Sequence, residues 1–300
     1  IKDAGSWTYG GHTFRSHGDH GLGPVDMVRS IVLSSNVYYY SLANEMGVDT
    51  IHDFMKPLGF GQITGIDLPG EVRGVLPSTE WKRKTYKRPE QQKWYGGETI
   101  SLGIGQGYNT FTMLQLATAT SALANGGWRH TPRVVRATQD ALTHQAQPTA
   151  TSAATHLGFN PEHLSVIRNG LVGVTIGGTS AQVFAGASYQ SAGKTGTAQA
   201  VTIGQKDKYN AAKLTEHQRD HALYMAFAPA DAPQIAVAAI VENAGFGAAH
   251  AAPIVRRVFD YWLLGQYPSE EDIAATQKGL TSRPVGTPRN KADITLGSTR

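Results

Sequence analysis

Three hundred residues, 40% hydrophobic and 17% charged, suffice for one large domain or two modest ones around a substantial core. The net charge of +4 is spread along the chain, so nucleic acid is not indicated, and the weak excess hints only at an anionic partner such as a membrane surface or cell-wall polymer. The absence of cysteine removes disulfides and thiolate metal sites and leaves both cytoplasm and periplasm open; no apolar run approaches the roughly 20 residues a bilayer-spanning helix needs.

The opening Ile1-Lys2-Asp3 is neither an initiator methionine nor a signal sequence, so the natural N-terminus is expected elsewhere. From Val25 to Met46 the spacing of Met27, Val28, Ile31 and Val32 predicts a helix, interrupted at Ser34-Ser35-Asn36 and resumed from Val37. Residues 59–108, rich in glycine, proline and charge, read as an irregular excursion rather than a packed core. A helix follows with Thr112 and Gln115 spaced as a capping box, a Leu114 to Leu123 body, and Gly126-Gly127 as its stop. Another has Asn160 as N-cap, Pro161 at its first position, and Leu164, Ile167 and Leu171 on one face.

Past Gly177-Gly178 the pattern turns to strands at residues 194–199, 223–227 and 235–241, the last two forming an antiparallel hairpin around Pro229-Ala230-Asp231-Ala232-Pro233. A helix over residues 253–264 is expected to bury Val255, Val258, Phe259 and Trp262 as one stripe. Residues 267–300, polar and without periodicity beyond Pro268, read as a largely disordered tail, with disorder expected from about Thr281 onward. The first 266 residues then form the folded domain.

Two elements carry chemistry. Lys194-Thr195-Gly196-Thr197 follows small residues (Ser191, Ala192, Gly193), as suits a strand edge along which a substrate backbone can lie, and Ser34 and Asn36 sit in the interhelical loop. Serine acyl-transfer enzymes that react with β-lactams combine Ser-x-x-Lys, Ser-x-Asn and Lys-Thr-Gly; the latter two occur here in that order. The first is missing upstream: Ser6, Ser16 and Ser30 have Tyr9, Asp19 and Leu33 three residues on. Only Ser191 has a lysine at that spacing, and it is Lys194 itself, on the opposite face of an extended strand.

Leu58-Gly59-Phe60-Gly61, Gly65-Ile66-Asp67-Leu68, Gly103-Ile104-Gly105-Gln106-Gly107-Tyr108 and residues 191–199 closely resemble the penicillin-binding protein 2 family, elongation-type D,D-transpeptidases of Gram-negative bacteria. The resemblance runs from about Asp3 to Gly265. It implies an α/β (α+β) fold, an antiparallel sheet flanked by helices as in the penicillin-binding transpeptidases and serine β-lactamases, here N-terminally incomplete. It further implies an inner-membrane anchor outside this chain, a periplasmic domain, and cross-linking of peptidoglycan stem peptides through an acyl-enzyme. β-Lactams would be ligands, and a membrane glycosyltransferase and elongation-complex scaffold proteins would be partners, with residues 59–108 either contacting them or equally facing the substrate. No organic cofactor is implied.

By the same resemblance Ser34 would relay a proton to or from an amine, and Asn36 would bond the substrate amide. Lys194 would supply positive charge for a D-Ala-D-Ala carboxylate, Thr195 and Thr197 hydroxyls would bind it, Gly196 lies between them, and the Thr197 N–H would serve the oxyanion hole. Without the attacking serine and its lysine, this chain alone is expected to be inactive. The alternatives are a non-catalytic peptidoglycan-binding or scaffolding module, or a β-lactam sensor or β-lactamase relative.

Three competing signals remain. Some members of the resembled family hold a structural zinc near the positions of Asp3 and His20, with His12, His17 and Asp19 nearby here; Ser35 stands where those members have cysteine, and a hydroxyl replaces a thiolate poorly, so no metal ligand is assigned. His217-Gln218-Arg219-Asp220-His221 is similar to an inverted metallohydrolase motif but reads as a solvated loop before a strand. Gly193-Lys194-Thr195 ends like a phosphate loop, but Ser188 occupies the position of its required first glycine.

Overall fold

The computed structural model describes residues 1–16, 20–201, 214–280, 282–290 and 292. The chain divides into two units: Ile1–Ser6, Arg15–Asn36 and Ser165–Arg300 form one, Trp7–Phe14 and Val37–Leu164 the other.

The first unit is built on an antiparallel sheet of β1 (Ala192–Ala198), β2 (His221–Ala228) and β3 (Ile235–Val241) in the order β3-β2-β1. Tyr224 of β2 pairs with Thr195 of β1 on one side and Ala239 of β3 on the other. The hairpin and the strand bearing Lys194 thus form where the sequence places strands. Helices of this unit include α1 (Met27–Leu33), α2 (Asn36–Met46, of which only Asn36 belongs here), α3 (Pro161–Ile176, which belongs here from Ser165 on), α4 (Ala252–Leu264) and α5 (Glu270–Gln277). Asn160 caps α3 as expected, its Oδ1 accepting the Glu162 N–H at 2.7 Å.

The core of this unit joins Val183 and Phe184 to Tyr224 of β2 and to Val255 and Phe259 of α4. Val255 and Phe259, one turn apart, are fully buried, whereas Val258 and Trp262 are 37% and 60% exposed, so the expected four-residue stripe is corrected. Arg256 and Asp260 occupy the buried arc instead. A buried ion pair is tolerated when its hydrogen bonds are complete, and here Arg256 Nε donates to both Asp260 oxygens at 2.9 and 3.0 Å while Tyr189 Oη donates to Oδ1 at 2.7 Å. Burial, reinforced by the Asp260 charge, pushes the Tyr189 phenol far above its ordinary pKa.

The described part of the tail is ordered, which corrects the expectation for residues 267–280 and 282–290. Ser269 caps α5, Asp272 is fully buried and bidentate to Arg257 at 2.8 and 2.6 Å, and Gln266–Tyr267 pairs with Arg289–Asn290. Capping and a buried ion pair hold this segment, and neither leaves an apolar period in the sequence. Thr281, Lys291 and residues 293–300 lie outside the described residues.

In the second unit the helix Met113–Ala124 carries the expected capping box: Thr112 Oγ1 accepts the Gln115 N–H and Gln115 Oε1 accepts the Thr112 N–H, each at 3.1 Å. Ala119 and Ala122 pack with Leu58, Phe60 and Leu76. Residues 59–108 differ from the expected irregular excursion, because they include the helices Thr79–Thr85, Pro89–Gln92 and Gly96–Gly103 and the fully buried Ile100. Their centre is the buried Lys82 ammonium, ion-paired to Glu98 and 5.3–5.4 Å from the ring centroids of Trp94, Tyr95 and Tyr108. Three aromatic faces and one carboxylate compensate a charge that would otherwise be costly to bury.

Candidate active site

Position in this site starts with the side chains of one helix packing against glycines of another. A Cβ on Gly170 would lie 2.8 Å from Ile31 Cδ1, and one on Gly173 would lie 2.5 Å from Val32 Cγ2, so α1 approaches α3 only because these α3 positions lack side chains. Glycine inside a helix costs about 1 kcal/mol against alanine, and the close packing of α1 offsets it. Helix α1 then stops abruptly. Ser34 takes a left-handed conformation (φ 58°, ψ 49°), its N–H bonding the Ile31 carbonyl and the Ser35 N–H bonding that of Ser30. A non-glycine residue in that region is strained by about 1–2 kcal/mol, a cost typical of functional turns.

The turn delivers Ser34 to the sheet. Lys194 Nζ donates to Ser34 Oγ at 2.7 Å and to the Thr195 carbonyl at 2.9 Å, uniting two sequence elements 160 residues apart. Burial pulls the Lys194 pKa down to about 8. A serine whose oxygen is held by an ammonium keeps its own proton available for a third group, which is the arrangement a proton relay needs. Asn36 stands two residues on as the first residue of α2 and is half-buried. Gly196 and Thr197 continue β1 opposite Leu223 and Ala222. Among the described residues the only strand paired with β1 is β2.

Several supporting residues escaped sequence reasoning. Thr179 and Thr195 share a 2.8 Å hydroxyl contact, and the neighbouring Ser180 is 2.9 Å from the Tyr224 hydroxyl and donates to the Val174 carbonyl at 3.2 Å. Burial raises the Tyr224 pKa, which keeps that phenol protonated as a donor. Gly247 passes so close behind the motif that a Cβ there would lie 2.5 Å from the Gly196 oxygen and 2.2 Å from that of Leu223. The run of small residues around Gly177-Gly178-Thr179-Ser180 and Gly245-Phe246-Gly247 was the available signal.

Ser191 precedes β1, is 2% exposed, and its Oγ has no hydrogen-bond partner among the described residues; its carbonyl accepts from Thr175 Oγ1 at 2.8 Å. A sequestered hydroxyl is a poor nucleophile. Asp3 is equally buried, and its carboxylate accepts the Ser35 hydroxyl at 2.5 Å and the Gly5 N–H at 2.8 Å. Each of its oxygens thus already accepts a protein donor, and a neutral hydroxyl beside it is a poor zinc ligand, so this carboxylate-hydroxyl pair does not fit a zinc ion. His20 is exposed, the His12 ring lies 4.6 Å from that of Phe14 in a tilted contact within the other unit, and His17 and Asp19 lie outside the described residues. No three histidines or carboxylates gather as metal ligands among the described residues.

His217 lies in a short 3-10 turn, Glu216–Gln218, while His221 begins β2 with Nδ1 accepting the Asn243 N–H at 3.0 Å. Asp220 between them is 6% exposed and its carbonyl takes the Gly245 N–H at 2.8 Å, so the expected solvated loop is corrected at this residue. The loop after β3 covers it.

A Lys-Thr-Gly edge strand whose lysine reaches a serine between two helices is the layout of the serine acyl-transfer enzymes that react with β-lactams. The chain belongs to the penicillin-binding protein transpeptidase domain family, whose model it matches over residues 1–260. It is 44% identical over 270 residues to the peptidoglycan D,D-transpeptidase MrdA of Acinetobacter baumannii and 37% identical over 272 residues to that of Escherichia coli K12. These alignments cover 88% of this chain but 38% and 42% of the relatives, so the chain spans about two fifths of their length. Among solved structures it is similar to Pseudomonas aeruginosa PBP2 in complex with WCK 5153, with TM-score 0.74, 37% identity, and coverage of 90% of this chain and 54% of that one. It is also similar to PBP2 of Helicobacter pylori in a complex with MreC, with TM-score 0.73, 27% identity, and coverage of 88% and 45%. The expected fold class is borne out.

Proposed function

We propose that this chain forms the substrate-binding and proton-relay wall of a peptidoglycan D,D-transpeptidase of cell elongation, which cross-links stem peptides by serine acyl transfer. The observation that carries the reading is the 2.7 Å bond from Lys194 to Ser34, which joins the two motifs into one site. Ser34 passes a proton between amine and solvent or a neighbouring base; Asn36 bonds the substrate amide; Lys194, Thr195 and Thr197 receive the terminal carboxylate of D-Ala-D-Ala; Gly196 lets the peptide backbone approach. The Thr197 N–H donates to the oxyanion, a contact of about 2.7–4 kcal/mol in enzymes of this kind. The transpeptidase domain runs to about residue 266, with the ordered segment beyond it an appendage.

The reading extends to a periplasmic position at the inner membrane and to partners of the elongation complex, supported by the relatives' names and by the H. pylori complex with MreC. No described helix is long and apolar enough to cross a membrane.

The test has two arms. Mass spectrometry after incubation with a fluorescent penicillin should show no covalent adduct, because the one serine at Ser-x-x-Lys spacing in this sequence, Ser191, is buried. Titration with N-acetyl-Lys-D-Ala-D-Ala should nevertheless show weak binding that Lys194→Met abolishes. An adduct lost on Ser191→Ala, or no peptide binding at all, refutes the reading.

A further inference from the structure

We propose that Thr179 is a positioning residue that fixes the Thr195 hydroxyl as a donor toward a carboxylate on β1; the inference rests on the transpeptidase reading above. A hydroxyl that meets an anion must point its proton outward, and its lone pairs then need a donor behind them. Thr179 Oγ1, at 2.8 Å from Thr195 Oγ1, is placed to be that donor. The opposite polarity, Thr195 donating to Thr179, would turn lone pairs toward the anion and repel it. An incoming carboxylate therefore selects the chain Thr179 to Thr195 to carboxylate, in which each bond polarises the next.

Rigidity of the turn makes this more than a chance surface contact. The Ser180 N–H bonds the Val174 carbonyl at 3.1 Å, its hydroxyl meets Tyr224, and Ala181 N–H bonds the Gly178 carbonyl at 3.2 Å. Two consecutive hydroxyls thus tie the turn after α3 to adjacent strands, Thr179 to β1 and Ser180 to β2, at residues that are cross-strand partners, Thr195 and Tyr224. The buried bond supplies the anchor, and the exposed one is left to orient the ligand contact. Lys194 Nζ, bonded to the Thr195 carbonyl, places positive charge on the same residue.

The experiment compares affinities of N-acetyl-Lys-D-Ala-D-Ala as free acid and as C-terminal amide for the wild-type chain, Thr179→Val and Thr179→Ser, with thermal melts of all three. The wild type and Thr179→Ser should prefer the acid, and Thr179→Val should lose about five-fold of that preference, the factor of one ordinary hydrogen bond, with its melt unchanged. An unchanged preference in Thr179→Val, or an equal loss in Thr179→Ser, overturns the inference while leaving the transpeptidase reading intact. A wild type that binds both forms equally removes the carboxylate role of Thr195 and the inference with it. Failure of the wild type to bind either form refutes the parent reading and, through it, this one.

Discussion

Lys194→Met separates the charge of Lys194 from its shape, and the pH course of stability reports the difference. In the unfolded chain the ammonium keeps its proton up to the ordinary value of 10.5; in the folded chain burial lowers this to about 8. Between these values the unfolded state binds more protons, so stability rises with pH; below 8 both states are protonated and the contribution is flat. At 1.36 kcal/mol per pH unit the interval amounts to about 3 kcal/mol. The value at a single pH is uninformative, because the substitution also removes the bonds to Ser34 and the Thr195 carbonyl, each worth about 1.5–3 kcal/mol when one partner is charged. Urea melts of both proteins from pH 7 to 10.5, followed by far-ultraviolet circular dichroism, isolate the effect by subtraction. Wild-type stability should climb by up to about 3 kcal/mol relative to Lys194→Met across the interval, while wild-type affinity for a peptide carboxylate falls as pH rises through about 8. Parallel stability curves would show that Lys194 is not desolvated and would refute the reasoning.

Two further substitutions probe the segments that the sequence misrepresented. Glu98→Ala strands the buried Lys82 ammonium and deprives the Tyr108 hydroxyl of its acceptor, so urea melts should show a loss of about 3–5 kcal/mol, with Lys82→Met recovering part of it in the double variant. Asp272→Ala removes the bidentate partner of Arg257 and the acceptor of the Val285 N–H; hydrogen exchange should accelerate across residues 269–290 while β2 amides keep their protection.

Local signals carried much of the fold. The capping pair Thr112 and Gln115, the Asn160-Pro161 start and the continuous apolar run of residues 235–241 each specify an element through neighbours a few positions away, and each element formed as read. What stayed hidden depended on distant partners. Lys82 looks like one charge in a basic run until Glu98, 16 residues later, and three rings enclose it. Asp272 likewise acquires its role from Arg257 on a preceding helix. The helix at residues 252–264 misled because Arg256 and Asp260 satisfy each other inside the core and displace Val258 and Trp262 to the surface. In the site, the type and order of Ser34, Lys194 and Thr195 were legible, whereas the left-handed backbone at Ser34 and the support from Thr179 emerge only in three dimensions.

Among the described residues no strand pairs with the side of β1 away from β2, and an edge of that kind is a hazard. An edge that welcomes a peptide strand welcomes any strand, including that of a second copy, and such edges seed aggregation when they are long, flat and greasy. Ala-Gly-Lys-Thr-Gly-Thr-Ala is none of these: it offers little side-chain area for a sticky partner to grip and sets a cation near its middle. Enriching this strand with valine or isoleucine would therefore trade selectivity for insolubility, and the smallness of these residues guards the fold as well as admitting a guest.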